Sequence, residues 1–166
     1  MIDEELRLAA QRLIETFAAR GLTVATAESC TAGLVTAALT EIPGSSAVVC
    51  CGFCTYSDQS KQTMLGVPAD TLARHGAVSR ETAEAMAAGA LARSTADLTV
   101  AITGIAGPGG GSAQKPVGLV HFASAARDGR RAQREERFGD IGRAQVRRRS
   151  VQVAFAMLED LVDRNA

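Results

Sequence analysis

Helical and extended segments alternate along this chain of 166 residues, and a β-hairpin closes the series. Leu6, Leu13 and Phe17 recur at helical spacing, and Gly21 is a helix stop signal. The apolar run 46–56 is bounded by turn residues, which predicts a buried strand. The predicted helices are 3–19, 31–40, a short helix capped by Ser57, a second short helix ended by Gly76, 80–94 with Ser79 as its cap, and 143–163, and the predicted strands are 22–27, 46–56, 97–103, 117–126 and 131–138, the last two joined around Asp128-Gly129.

This alternation predicts an α/β fold: a single three-layer domain over residues 1–166, with a mixed central β-sheet flanked by helices. The hydrophobic fraction of 46% is enough for one core, and no internal repeat or linker interrupts the chain. Ligands of open α/β sheets bind at the carboxyl ends of the strands. Two segments that follow predicted strands meet this condition, Glu28–Gly33 ("ESCTAG") and Thr103–Ser112 ("TGIAGPGGGS").

Charge and composition exclude several classes of partner. The formal net charge is zero and aromatic residues make up 4% of the chain, which disfavours both a nucleic-acid partner and a membrane partner. No apolar run reaches the roughly 18–20 residues of a membrane span, and the acidic N-terminus does not resemble a signal peptide. The sequence therefore predicts a cytoplasmic protein with reduced cysteines, and its large apolar fraction favours a homo-oligomer.

Two candidate nucleophiles, Ser29 and Cys30, stand side by side where the first predicted strand gives way to a helix. The amides of a first helical turn lack intrahelical partners and can stabilise an oxyanion or bind an anion. Cys30 is intrinsically the better nucleophile, and a helix N-terminus lowers the pKa of a thiol. The alternative is structural, with Ser29 or Thr31 serving as a helix cap.

Lys61 is the candidate base for this serine. It is one of only two lysines in the chain, and a desolvated lysine can act as a neutral amine, whereas an arginine cannot. Serine activated by lysine is a known variant of the catalytic triad. Tyr56 lies five residues earlier and either lines a pocket, relays a proton or anchors a strand end. The alternative for Lys61 is a solvated surface position, and neither His75 nor His121 carries a catalytic signature.

The glycine-rich segment after the third predicted strand allows close approach of the main chain to a ligand. Its successive amides form either an anion-binding nest or a flexible connection. It is not a Walker A loop, because Pro116 follows Lys115. Cys51 and Cys54 form a C-x-x-C pattern, but residues three apart in a strand point to opposite faces. The sequence therefore predicts buried, unreactive cysteines there rather than a redox or zinc site.

Nine arginines lie between Arg127 and Arg149, diluted by acidic residues. They form either a nucleic-acid patch or a solvated surface from which one or two arginines contact a ligand phosphate. Arg143 and Arg147 are one helical turn apart and therefore share a face. The neutral total favours the second interpretation.

Five segments in the same order resemble the CinA C-terminal domain family: "AESCTAG", "GFCTYSDQSK", "HGAVS", "ITGIAGPGGGSAQKPVG" and "FGD...R...R". The resemblance covers residues 5–162. The activity characterised in this family is that of a nicotinamide-nucleotide amidase, which converts nicotinamide mononucleotide (NMN) to nicotinate mononucleotide and ammonia without a metal or other cofactor. By this resemblance the catalytic residues are Ser29, Lys61 and Tyr56. The substrate-binding residues expected are Cys30, Thr31, Gly33, Thr103, Gly104, Ala106, Gly107 and Arg143.

The residues and the resemblance together give a mechanistic hypothesis. Neutral Lys61 deprotonates Ser29, which attacks the carboxamide carbon, and amides near Cys30 and Thr31 or donors near Thr103 hold the oxyanion. A different carboxamide is an alternative substrate. A non-catalytic nucleotide-binding module linked to competence or DNA damage is the alternative of another class.

The chain departs from the usual family pattern at three places. Family members usually carry glycine where Ala32 stands, and Asn-Glu-Ala where this chain has Asp58-Gln59-Ser60. Ile141 and Gly142 separate Asp140 from Arg143, so the pattern leaves open whether Arg143 or Arg147 meets the phosphate.

Overall fold

The structure is a computed structural model that describes residues 2–163. Six helices and five strands lie in these residues, together with one 3₁₀ turn at Ser45–Ala47. In chain order they are α1 (Glu4–Arg20), β1 (Val24–Glu28), α2 (Leu34–Thr40), β2 (Val49–Cys54), α3 (Asp58–Leu65), α4 (Ala69–His75), α5 (Arg80–Ala92), β3 (Leu98–Gly104), β4 (Leu119–Ala126), β5 (Arg131–Arg137) and α6 (Arg143–Asp163).

The five strands form one mixed sheet in the order β2-β1-β3-β4-β5. β2, β1 and β3 are parallel, whereas β4 and β5 are antiparallel additions on the β3 side. Glu28, the last residue of β1, pairs with Cys54 on one side and with Ile102 on the other. The carboxyl ends of the three parallel strands therefore meet at one edge of the sheet, which confirms the predicted mixed α/β fold.

Helices cover both faces of the sheet, so the three predicted layers are confirmed. On one face, α1, α2 and α6 pack against side chains that include Val24, Val100 and Phe122. On the other face, α3, α4 and α5 pack against small side chains, among them Ala27 and Ala101. Small residues on these strands allow the alanine-rich α5 to pack close to the sheet.

Helix boundaries follow the local signals. Gly21 ends α1 in the left-handed conformation, and Gly76 ends α4. The Ser57 side chain accepts a hydrogen bond from the Ser60 amide in a capping box, and Ser79 accepts one from the Thr82 amide. None of the helices in residues 2–163 combines the length and apolarity that crossing a bilayer requires.

Two predictions about individual elements, β2 and α2, are wrong. The run 46–56 is not a buried strand: β2 is only six residues long, lies at the edge of the sheet and alternates between half-buried and exposed side chains. Cys50 and Cys54 are accordingly exposed rather than buried, and Cys51 is half-buried. An unbroken apolar run does not distinguish a central strand from an edge strand, because neighbours in the sheet decide burial. The second error, the start of α2, affects the site directly.

Candidate active site

A cavity of about 240 Å³ opens at the carboxyl edge of the parallel strands. Nine of the eleven residues expected at a site line this cavity: Ser29, Cys30, Tyr56, Lys61, Thr103, Gly104, Ala106, Gly107 and Arg143. Ala77, Val78 and Ile105 also line it. These apolar residues carry no chemical signature of their own, although they lie in or beside segments that the family resemblance marks.

Ser29 and Lys61 are in hydrogen-bond contact at the bottom of this cavity. Ser29 directly follows β1, and Lys61 lies on α3. The Nζ atom of Lys61 is 3.0 Å from Ser29 Oγ. The lysine side chain is completely buried, and this burial lowers the pKa of Lys61 from its usual value of 10.5. The lowered pKa favours the neutral amine.

Two main-chain carbonyl groups orient the Lys61 amine. Nζ donates to the carbonyl oxygen of Thr55 at 2.8 Å and to that of Tyr56 at 3.5 Å. A carbonyl oxygen can only accept, so these contacts use two N–H bonds of the amine. In the neutral amine, the remaining direction toward Ser29 Oγ is that of the lone pair. The geometry is therefore suitable for removing the hydroxyl proton of Ser29.

The segment Ser29–Gly33, here called the nucleophile turn, connects β1 to α2. The prediction of a helix over 31–40 is wrong at its start, because α2 begins at Leu34 and Gly33 is its N-cap residue. Ala32 and Gly33 have φ values of 50° and 88°, which are incompatible with a right-handed helix. Thr31 and Gly33 are the two expected substrate-binding residues that do not line the cavity. Thr31 is completely buried, and a Cβ on Gly33 would contact Cys54 Sγ.

Glu28 is a buried charged residue directly before the site, and the sequence analysis assigned it no role. Its carboxylate is completely buried and accepts hydrogen bonds from the amides of Val35 and Thr36 at 3.0 and 2.9 Å. These are amides of the first turn of α2, so they are not available to a substrate. A charged side chain within the otherwise apolar and threonine run of β1 is the signal that could have drawn attention to Glu28.

The free amides in this region belong to the nucleophile turn itself. Within residues 2–163, the main-chain N–H groups of Cys30 and Thr31 donate to no other residue. The Ser29 amide, in contrast, donates to the carbonyl oxygen of Ile102 at 2.9 Å, and the Ala32 amide donates to that of Ser29. Among the residues of this turn whose amides have no acceptor, only Cys30 lines the cavity, so an oxyanion contact from this region comes from the Cys30 amide.

Cys30 lines the cavity as a protonated thiol. Its side chain is 5% exposed, and burial raises the pKa of Cys30 to about 12. The nearby charge of Glu28 also disfavours the thiolate. This environment is opposite to that of reactive cysteines, which have lowered pKa values.

Tyr56 and Arg143 form the rim of the cavity. The guanidinium of Arg143 donates to Tyr56 Oη at 3.3 Å and to the carbonyl oxygen of Gly107 at 3.1 Å. The Tyr56 side chain is 64% exposed, and its contact with Lys61 is made by its main-chain carbonyl. Thr103, inside the cavity, donates its hydroxyl proton to the carbonyl oxygen of Ala77 at 2.7 Å. Its oxygen can therefore only accept from a ligand.

The glycine-rich segment forms one wall of the cavity. A Cβ on Gly104 would lie 2.7 Å from Val120 Cγ2, and one on Gly107 would lie 2.6 Å from Val117 Cγ1. Gly109, in contrast, has nothing within 4 Å of a Cβ position and faces open space. The main chain of this wall therefore packs closely against Val117 and Val120 at Gly104 and Gly107, whereas at Gly109 it is open to a ligand.

Arg147 does not share the position of Arg143. It donates to the carbonyl oxygen of Thr31 at 2.8 Å and is absent from the cavity lining. Of these two arginines, only Arg143 lines the cavity. Seven of the nine arginines between Arg127 and Arg149 donate to other residues of the described chain, which agrees with a solvated, internally paired surface.

A larger cavity of about 610 Å³ lies between α4, α5 and the β4–β5 hairpin, lined mainly by alanines and charged surface residues. Size alone does not identify the site, and the smaller cavity is distinguished by its Ser29–Lys61 contact. Within residues 2–163, no group of three or more His, Cys, Asp or Glu side chains is placed to hold a metal ion.

Fold and site together define a three-layer α/β protein with a ligand-sized cavity at the carboxyl edge of its parallel strands and a buried lysine against a serine. Residues 7–162 match the family model of the CinA C-terminal domain. The chain belongs to the CinA C-terminal domain family.

Relatives of two lengths were found. The chain is 48% identical over 159 residues to the nicotinamide-nucleotide amidohydrolase PncC of Escherichia coli, covering 95% of each chain. It is 55% identical over 138 residues to a CinA-like protein of Mycolicibacterium gilvum, but spans only 32% of that protein. A crystal structure of the competence/damage inducible protein CihA from Agrobacterium tumefaciens matches with a TM-score of 0.96 and 55% identity, covering 97% of this chain and 98% of that one.

Proposed function

We propose that this chain hydrolyses the carboxamide of NMN to nicotinate mononucleotide and ammonia through an acyl-enzyme on Ser29. The observation that carries the proposal is the 3.0 Å contact between Ser29 Oγ and the buried Lys61 Nζ. Similarity to the E. coli nicotinamide-nucleotide amidohydrolase over 95% of the chain supports the choice of substrate.

In the first half-reaction, the neutral amine of Lys61 takes the hydroxyl proton of Ser29 while Oγ bonds to the carboxamide carbon. The carbonyl oxygen becomes an oxyanion, which the free amide of Cys30 stabilises. The C–N bond then breaks as the Lys61 ammonium returns its proton to the leaving nitrogen, and ammonia departs. Ser29 is left as an ester of the nicotinate group.

In the second half-reaction, water replaces ammonia beside Lys61. The amine takes a proton from this water while the hydroxide oxygen bonds to the acyl carbon. The ester bond breaks, Lys61 returns the proton to Ser29 Oγ, and the carboxylic acid product leaves and loses its own proton to the solvent. The same lysine therefore acts as base and acid in both halves.

The cavity walls suggest how NMN is oriented. Thr103 Oγ has already donated its proton to Ala77, so it accepts an N–H of the substrate carboxamide. The pyridine ring lies against the apolar part of the wall, which includes Val78 and Ile105. The 5′-phosphate lies at the rim, where Arg143 supplies positive charge and Gly109 leaves the main chain open.

Ammonia release from NMN tests the proposal when Ser29→Ala and Cys30→Ala are compared. We expect Ser29→Ala to lose more than about a thousandfold in kcat, because it removes the nucleophile. Cys30→Ala serves as the matched control and keeps activity within a few fold, because the buried thiol is protonated. The opposite pattern would make cysteine the nucleophile. No release by the wild-type protein, with salt-dependent DNA binding instead, would favour the non-catalytic alternative.

Hydroxylamine distinguishes an acyl-enzyme from direct attack by water. It competes with water for the nicotinate ester on Ser29 and yields the hydroxamate of the nucleotide. A hydroxamate yield that rises with hydroxylamine concentration, while total ammonia release stays constant or increases, supports the ester. Absence of hydroxamate at saturating hydroxylamine contradicts it.

We also propose that this activity belongs to a homo-oligomeric, cytoplasmic protein, as composition predicts. Light scattering after size-exclusion chromatography measures the oligomeric state directly. A monomer at all concentrations would contradict the first part of this proposal, and recovery of the native protein outside the cytoplasmic fraction would contradict the second.

A further inference from the structure

We propose that Glu28 is a positioning residue, whose buried carboxylate fixes the nucleophile turn so that Ser29 Oγ stays against Lys61. The proposal rests on the function proposed above. It concerns a residue that touches neither the cavity nor the reacting atoms, because Glu28 is absent from the cavity lining.

The carboxylate of Glu28 connects the end of β1 to the start of α2. Oε2 accepts from the amide of Val35 at 3.0 Å, and Oε1 accepts from the amide and the hydroxyl of Thr36, both at 2.9 Å. Thr26 Oγ is 3.2 Å from Oε1 and 2.6 Å from Thr36 Oγ. Apart from the Thr26–Glu28 contact, which lies within β1, every hydrogen bond of this network joins β1 to the first turn of α2.

A helix normally receives such bonds from its own N-cap side chain, but here that residue is Gly33. Glu28 replaces the missing cap from the preceding strand. The hydrogen bonds to Val35 and Thr36 therefore close a ring, which consists of the Glu28 side chain and the main chain from residue 28 to residue 36 and contains the nucleophile turn. The two ends of this loop of main chain are held at a fixed distance, because one belongs to β1 and the other to α2.

The ring leaves little freedom to Ser29. On the strand side, the Glu28 carbonyl accepts from the amide of Thr55 at 2.8 Å, and the Ser29 amide donates to Ile102. On the helix side, the carboxylate sets where the turn must end. Displacing the helix start would move the free amide of Cys30 relative to Ser29 Oγ, and such displacements lower the rate more than the affinity.

The network requires an acceptor at both carboxylate oxygens. Glu28 is completely buried, and its known partners are two amide N–H groups and two hydroxyl groups. Glutamine has the same shape, but its NH₂ group can only donate and would face an N–H donor of α2. Glu28→Gln therefore disturbs the ring while leaving the volume of the side chain unchanged.

The test compares Glu28→Gln with Glu41→Gln, a matched change at an exposed residue that follows the other end of α2. Two readouts are used: steady-state kinetics of ammonia release, and the rate at which a fluorophosphonate labels Ser29. We expect Glu28→Gln to lower kcat and the labelling rate by about tenfold or more. KM should change less than about twofold, since the cavity lining is intact, and Glu41→Gln should match the wild type.

Thr36 provides a second variant in case Glu28→Gln does not fold. Thr36→Val removes one hydroxyl donor and keeps the carboxylate, so it should lower kcat in the same direction but less, and Thr36→Ser should restore it. Wild-type kcat and labelling rate in folded Glu28→Gln would overturn the proposal. The proposal would also be overturned if the lower activity came entirely from a smaller number of active sites that the fluorophosphonate can label, each with the wild-type kcat. An unlabelled, inactive wild-type protein would overturn the proposed function and this proposal together.

Discussion

Ala32 has a backbone conformation that its own side chain opposes. Its φ of 50° is left-handed, and a Cβ in that region costs roughly 1–2 kcal/mol because it approaches the following carbonyl oxygen. Glycine removes this cost but gives the unfolded chain freedom worth about 0.5–1 kcal/mol. The side chain is exposed, so its removal leaves no cavity. We expect Ala32→Gly to raise the free energy of unfolding by about 0.8 kcal/mol.

Thermal unfolding followed by far-ultraviolet circular dichroism measures this effect. For a chain of this size the gain corresponds to a Tm increase of about 2–3 °C. Ala18→Gly is the control, because Ala18 is exposed in the right-handed helix α1. There glycine should lower the free energy of unfolding by about 1 kcal/mol. If both substitutions lowered Tm equally, the argument from the conformation of Ala32 would be refuted.

Three further predictions concern the lysine, the rim of the cavity and the packing of α5 against α3. Burial lowers the pKa of Lys61, so kcat should rise with pH and reach half its maximum below 10.5. A pH profile of ammonia release centred at or above 10.5 would contradict a neutral lysine base. Tyr56→Phe removes the hydroxyl that accepts a hydrogen bond from Arg143 at the rim, so KM should rise about fivefold with little change in kcat. A fall in kcat without a change in KM would indicate instead that Tyr56 relays a proton. Gly89→Ala would place a Cβ against the carbonyl oxygen of Leu65, so urea denaturation should show a loss of about 1–3 kcal/mol, and an unchanged midpoint would disprove this close contact.

Local signals in the sequence predict the architecture well. Periodicity and capping residues specify the helices that begin after Ser57 and Ser79, and the turn at Asp128-Gly129 specifies the hairpin. These features depend on residues close together in the chain, which is why they are readable without a structure. The position of a strand in the sheet cannot be predicted in this way, because it depends on which other strands pair with it. The composition of β2 does not show that it lies at the edge of the sheet.

In the site, too, features that depend on nearby residues are predicted from the sequence, whereas features that depend on tertiary contacts are not. The strand-to-helix junction predicts where Ser29 lies, and the scarcity of lysine draws attention to Lys61. The start of α2 was misplaced because Ala32, an ordinary helix former, adopts a left-handed conformation that the rest of the turn imposes. Glu28 was missed for a related reason, since its partners at Val35 and Thr36 become apparent only when the turn is folded.

The lysine reaches the serine only while α3 stays docked. This helix has eight residues, and its attachment includes the buried Leu65, whose carbonyl accepts from Arg93 at 2.8 Å. Short, peripheral segments open more readily than the sheet they cover. Once α3 detaches, water reaches the amine and it regains its proton. Heating should therefore abolish the proposed amidase activity some degrees below the temperature at which the core unfolds. Cooling should restore the activity without refolding of the core.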